Sequence, residues 1–108
     1  MNYKKPIPIQ LFQLRNEYCT LISRLTGVPV DDIMGAGRRG DIVTARFLLM
    51  WALIVLLKIS PADTGILLRK NYSTCIYGKR VIDGAKQLPP KIEAIKNQLK
   101  KYYNEQKI

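Results

Sequence analysis

The sequence predicts a single all-helical domain of five or six helices. Three observations lead there. Apolar residues recur at three- and four-residue spacing in separate stretches, prolines and glycines stand where helices start and stop, and no run of β-branched residues makes a sheet. A chain of 108 residues with 47% hydrophobic content builds one modest core and has no room for a second substantial one.

Residues 1–8 hold Lys4, Lys5, Pro6 and Pro8, the composition of an extended arm that either touches phosphate or has no fixed structure. From Gln10, the stripe Leu11, Leu14, Tyr18, Leu21 and Leu25 marks a first helix, which Gly27 ends. Val28, Pro29 and Val30 force an extended connection, after which an aspartate caps a short helix of residues 31–34.

Gly35-Ala36-Gly37-Arg38-Arg39-Gly40 has the form of a dinucleotide-binding glycine motif. That motif works between a strand and a helix of a parallel sheet, whereas the flanking segments here read as helical. The stretch therefore reads as a flexible loop carrying two arginines, and the adhesion-type tripeptide Arg39-Gly40-Asp41 as coincidence.

Asp41 caps a central helix of residues 42–58, where Val43, Phe47, Met50, Trp51, Ile54 and Leu57 leave almost no polar side. Other helices must surround it. Arg46 is its one basic residue before Lys58, and a salt bridge to Asp41 or Asp31 is open to it.

Ser60, Pro61 and Asp63 supply a capping oxygen, a proline at the first helical position and a carboxylate facing the N-terminal N–H groups, so a helix starts there. Its apolar residues are Ala62, Ile66, Leu67 and Leu68, and Arg69, Lys70 and Asn71 then interrupt the pattern. Asn71 caps a following helix of residues 72–83. At about 100° per residue, Cys75, Gly78 and Ile82 share one side of it, and Tyr72, Ser73, Ile76, Tyr77 and Arg80 the other. The first side is small enough to pack closely. The second suits phosphates and base edges in a DNA groove, or is simply a solvated face. Residues 60–82 thus read as a helix-turn-helix.

Gln87-Leu88-Pro89-Pro90 breaks the chain, and a last helix from Pro90 carries the stripe Ile92, Ile95, Leu99 and Tyr102, with Lys91, Lys96, Lys100 and Lys101 mostly off it. The stripe either closes the core or serves as a surface for a protein partner or self-association. The expected organisation is an arm at 1–8, a helix-turn-helix domain at 9–86, and a C-terminal amphipathic helix at 87–108 packed on the same domain.

Eighteen Lys and Arg residues against 8 Asp and Glu give a formal charge of +10 with no histidine, a balance that attracts polyanions and nucleic acid first. Cys19 and Cys75 are far apart, form no zinc-ligand spacing and are expected to be buried thiols in a reducing cytoplasm. No secretory signal is visible, and the apolar stretch 47–57 is about half a membrane span. With no histidine, no evident basic partner for either cysteine and carboxylates mostly at helix starts, an enzyme is not expected, nor a metal or cofactor.

Asn71-Tyr72-Ser73-Thr74-Cys75-Ile76, followed by Gly78, Lys79, Arg80 and Ile82, resembles the signature of the C-terminal DNA-binding domain (domain IV) of the bacterial replication initiator DnaA. The likeness extends through 28–34, Arg38 and Thr44-Ala45-Arg46, covering roughly residues 20–84. Asn71 and Tyr72 stand where the family has aspartate and histidine, and the turn at 68–70 looks one residue shorter and lacks the usual glycine. The resemblance implies a Trp-repressor-like or DnaA C-terminal type of helical fold. It also implies double-stranded DNA as partner, with Tyr72, Ser73, Thr74, Tyr77 and Arg80 in the major groove. Arg38 and Arg39 would enter the minor groove, where A·T-rich tracts concentrate negative potential, while Arg46, Lys70 and Lys79 would meet phosphates beside Asn71.

The implied role is a cytoplasmic, nucleoid-associated DnaA-like protein that binds replication-origin-type sites in replication initiation or its regulation. No GxxxxGK[ST] loop is present for an ATPase of its own. The alternative is a small basic helical protein-interaction module, or a transcriptional regulator with a different DNA site.

Overall fold

The computed structural model describes residues 6–84 and 88–106. Residues 1–5 of the expected arm, the last two of the expected 9–86 domain, Gln87 of the expected break and 107–108 at the end of the expected C-terminal segment lie outside them. Six α-helices follow in order, α1 (Ile9–Thr26), α2 (Val30–Met34), α3 (Gly40–Trp51), α4 (Pro61–Leu68), α5 (Tyr72–Gly84) and α6 (Pro90–Gln106), with no strand among the described residues. None of them is long and apolar enough to cross a membrane. The glycine-rich 35–40 stretch therefore joins two helices, and the dinucleotide reading falls.

Helix α1 stops and helix α4 starts where the sequence says they must. Gly27 closes α1 in the left-handed region at φ 79°, and Ser60 Oγ accepts the Asp63 N–H at 3.1 Å in front of Pro61 at the start of α4. Three starts differ from expectation. Helix α2 begins at Val30, one residue early, on Pro29 and without a side-chain cap, because the fixed proline φ already suits a helix entrance. Helix α3 begins at Gly40, which puts Asp41 inside its first turn instead of at the cap. Helix α1 begins at Ile9.

The central helix also ends differently. Instead of continuing regularly to Lys58, the chain widens into a π turn over Ala52–Leu56, with Leu57 N–H on Ala52 O at 3.1 Å and Ile59 N–H on Leu53 O at 2.9 Å. Lys58 then takes a left-handed φ of 59°.

Helix α3 is the post around which the others pack. Leu48, Leu49, Met50 and Trp51 are fully buried, as are Ala52 and Leu53 beyond it. On α1 the buried centre is Tyr18, Cys19 and Ile22, while Leu11, Leu14, Leu21 and Leu25 of the expected stripe are only half-buried. Helix α1 packs against α2, α3, α4 and α6. Burial pushes the Tyr18 phenol up to about 12.

Helix α6 closes the core. Ile95 and Leu99 are buried, Tyr102 meets the Tyr18 ring edge-on at 5.5 Å and donates to Glu17, and Lys96 Nζ lies over the Trp51 ring at 5.4 Å. The stripe held open as a partner or self-association surface is thus occupied within the chain. Of the buried polar groups, the Thr64 hydroxyl on α4 finds no hydrogen-bond partner among the described residues.

Candidate nucleic-acid interface

Helix α5 is seated by two glycines. At Gly78 a Cβ would stand 2.5 Å from Met50 Sδ and 2.8 Å from Phe47 Cδ1, so α5 lies against α3 closer than any side chain permits. At Gly65 a Cβ would stand 2.7 Å from the Lys70 carbonyl oxygen, which lets α4 and the turn that follows it fold tightly together. That turn is Arg69, Lys70 and Asn71, and Arg69 itself takes the left-handed conformation, φ 57°, that glycine favours. The turn thus closes without a glycine of its own. Asn71 Oδ1 then accepts the Ser73 N–H at 2.9 Å and the Ser73 hydroxyl at 2.7 Å, capping α5 as expected.

The two sides of α5 fall as the periodicity predicts. Cys75, Gly78 and Ile82 are buried, and burial pushes the Cys75 thiol up despite Lys70 nearby. Tyr72, Ser73, Thr74, Tyr77 and Arg80 are exposed, with Tyr72 at 59% and Tyr77 at 61%; Ile76 is half-buried. The Tyr77 ring stands edge-on to Phe47 at 5.7 Å, which sets its direction without covering it. Lys79, expected on phosphate, is half-buried and 3.5 Å from Asp83, which also accepts from Trp51 Nε1 at 3.4 Å.

The 35–40 loop lies beside the turn. Lys70 Nζ donates to Gly35 O at 2.8 Å, so the loop's first residue touches the middle of the helix-turn-helix. Arg38 and Arg39 are both exposed. Arg39 forks onto Asp41, Nε to Oδ1 at 2.7 Å and Nη2 to Oδ2 at 3.2 Å. This hydrogen-bonded pair raises the arginine pKa and lowers that of the carboxyl, and its full exposure keeps it exchangeable with another anion.

Arg46 is where the expectation fails. It is 8% exposed, and its guanidinium donates to Ile33 O at 2.9 Å, Gly37 O at 3.0 Å and Asp32 O at 2.9 Å. Neither Asp41 nor Asp31 is its partner. Two of those carbonyls belong to the last turn of α2, where orphan acceptors attract a cation. Burial lowers its pKa and neighbouring Asp32 raises it. Lys70 is likewise turned inward, although only half-buried.

Sequence reasoning passed over Arg69 and Ile66. Both are exposed, and with Ala62, Gly65, Lys70, Asn71 and Tyr72 they line an open cavity of about 450 Å³ between α4 and the start of α5. Arg69 carried the same signal as Lys70, a basic residue in the turn, but was read only as an interruption of the apolar pattern. Comparison with protein-family models and with curated proteins finds no match to this chain.

Proposed function

We propose that the protein binds double-stranded DNA through its helix-turn-helix, with α5 in the major groove and the 35–40 loop reaching the neighbouring minor groove. The observation that carries this reading is a juxtaposition: α5 exposes Tyr72, Ser73, Thr74, Tyr77 and Arg80, and Lys70 in the turn before it hydrogen-bonds Gly35 at the start of the loop that exposes Arg38 and Arg39. Hydroxyls and rings supply base-edge and thymine-methyl contacts, and cations supply the phosphate attraction that a net charge of +10 strengthens. Arg80, Arg69 and Lys79 are the phosphate candidates on this side, and Arg46 is withdrawn from that role.

The resemblance to the DnaA C-terminal domain supports sites of replication-origin type, and a role in replication initiation or its regulation. Tyr72 in place of the family's histidine offers a single phenolic O–H and a ring suited to a thymine methyl, so the preferred site is related to the family's box without being identical.

Selection of bound duplexes from a random pool at two salt concentrations tests the proposal. The expected result is an enriched consensus with an A·T-rich flank and binding that weakens steeply with salt. No duplex binding at low salt would end it.

A further inference from the structure

Between residues 32 and 37, four backbone carbonyl oxygens accept from two cationic side chains. Arg46 takes Asp32 O at 2.9 Å, Ile33 O at 2.9 Å and Gly37 O at 3.0 Å; Lys70 takes Gly35 O at 2.8 Å. The two clasps come from different places, Arg46 from the middle of α3 and Lys70 from the turn before α5. Between them they hold the stretch at both ends and in the middle. Gly37 adds a contact of its own: a Cβ there would touch Ile42 Cδ1 at 3.4 Å, so the loop backbone lies directly on α3. Immediately beyond this pinned stretch come Arg38 and Arg39, with their side chains in solvent.

In Gly-Ala-Gly-Arg-Arg-Gly the Arg39 fork onto Asp41 ties the far end of the loop, while the Gly-Ala-Gly start has almost no side chain with which to define a shape. Its form is set from outside, by donors aimed at its carbonyls. A planar guanidinium with five N–H groups in a rigid fork suits three carbonyls at once, and a lysine ammonium at the same place does not reproduce that geometry.

We propose that Arg46 and Lys70 are positioning residues for DNA binding, which hold the 35–40 loop at a set offset from α5 so that Arg38 and Arg39 meet the minor groove when α5 lies in the major groove. This rests on the DNA-binding reading above and gives the two cations a task that needs no contact with DNA. Arg46 orders the loop; Lys70 ties it to the turn, so that loop and α5 move together.

The test uses the full chain with Arg46→Lys, Lys70→Met, Arg38→Ala and the two doubles that contain Arg38→Ala. The first readout needs no DNA: trypsin cleavage after Arg38 and Arg39, followed by mass spectrometry against cleavage after Arg80 in the same sample. Unpinning the loop is expected to speed loop cleavage about tenfold in Arg46→Lys and less in Lys70→Met, with cleavage after Arg80 unchanged, because local opening governs the rate. The second readout is affinity for a duplex from the selection above. Arg38→Ala is expected to weaken the unchanged protein about tenfold but the Arg46→Lys protein less than about twofold, the mark of residues acting as one unit. Loop cleavage at the original rate in both single variants overturns the clasp. Faster cleavage with a full Arg38→Ala effect in both doubles overturns the positioning role. If the unchanged protein binds no duplex at all, the DNA-binding reading fails and the positioning role with it, and the cleavage rates then show whether the clasp still holds the loop.

Discussion

The two sides of α5 share a backbone and divide every other property. Toward α3, the helix offers Cys75, Gly78 and Ile82, all buried, and comes so close that Gly78 has no room for a methyl group. Toward solvent, it offers four hydroxyl-bearing side chains and a guanidinium whose removal leaves no cavity, since Tyr72, Ser73, Thr74, Tyr77 and Arg80 are all exposed. The packed side fixes where the helix sits; the open side contributes little to keeping it there. Chemistry on the open side is free to answer to a partner, and substitutions on the two sides separate stability from binding.

The sharpest way to break this division is at the tight turn. Gly65→Ala places a Cβ 2.7 Å from the Lys70 carbonyl oxygen, a backbone atom that cannot swing aside. Urea denaturation is expected to show a loss of about 2 to 3 kcal/mol, overpacking outweighing the helix propensity gained. A neutral result would mean that the turn is looser than described. On the open side, Arg80→Ala is expected to lower duplex affinity by about 1 to 3 kcal/mol and flatten the salt dependence by about one phosphate, with the thermal midpoint essentially unmoved. A change in stability equal to the change in affinity would erase the contrast.

Two smaller changes sharpen it. Thr64→Val puts a methyl of similar shape in place of a buried hydroxyl that has no partner among the described residues, and is expected to raise stability by about 1 kcal/mol in the same denaturation assay. Arg69→Gly relieves a left-handed residue at φ 57° and is expected to stabilise by roughly 0.5 to 1 kcal/mol while weakening duplex binding. Opposite signs in the two assays would mark Arg69 as a residue held in an unfavourable conformation for the sake of contact.

The smallest effect concerns pH. Arg39 lowers the Asp41 pKa in the folded chain, so the pair's modest contribution is present above the carboxyl's unfolded value and fades as pH falls through the lower, folded one. A carboxyl titration followed by NMR checks this. Asp41→Asn, by releasing Arg39, is expected to strengthen duplex binding slightly.

Much of the fold was legible because it is written in local patterns. The spacing of Cys75, Gly78 and Ile82 predicted the buried side of α5, Asn71 and Ser60 predicted two caps, and Gly27 and Pro90 marked a helix end and a helix start. The π turn at Ala52–Leu56 left no such mark, since its residues are as apolar as a regular helix requires. Arg46 was misread for a related reason. Its partners are carbonyl oxygens at positions 32, 33 and 37, and every residue carries a carbonyl, so nothing in the sequence distinguishes these three.

The sequence alone determined that the chain is helical, where α1 stops and α4, α5 and α6 start, and which side of α5 faces inward, because those follow from caps, prolines and a 3.6-residue period acting over a few positions. Only the tertiary structure decided which cations remain available. Arg46 and Lys70 are drawn to backbone oxygens that folding brings near, 9 to 35 residues away in the chain, whereas Arg38 and Arg80 are left in solvent. A charge is countable from composition; its partner is set by distance in the folded chain.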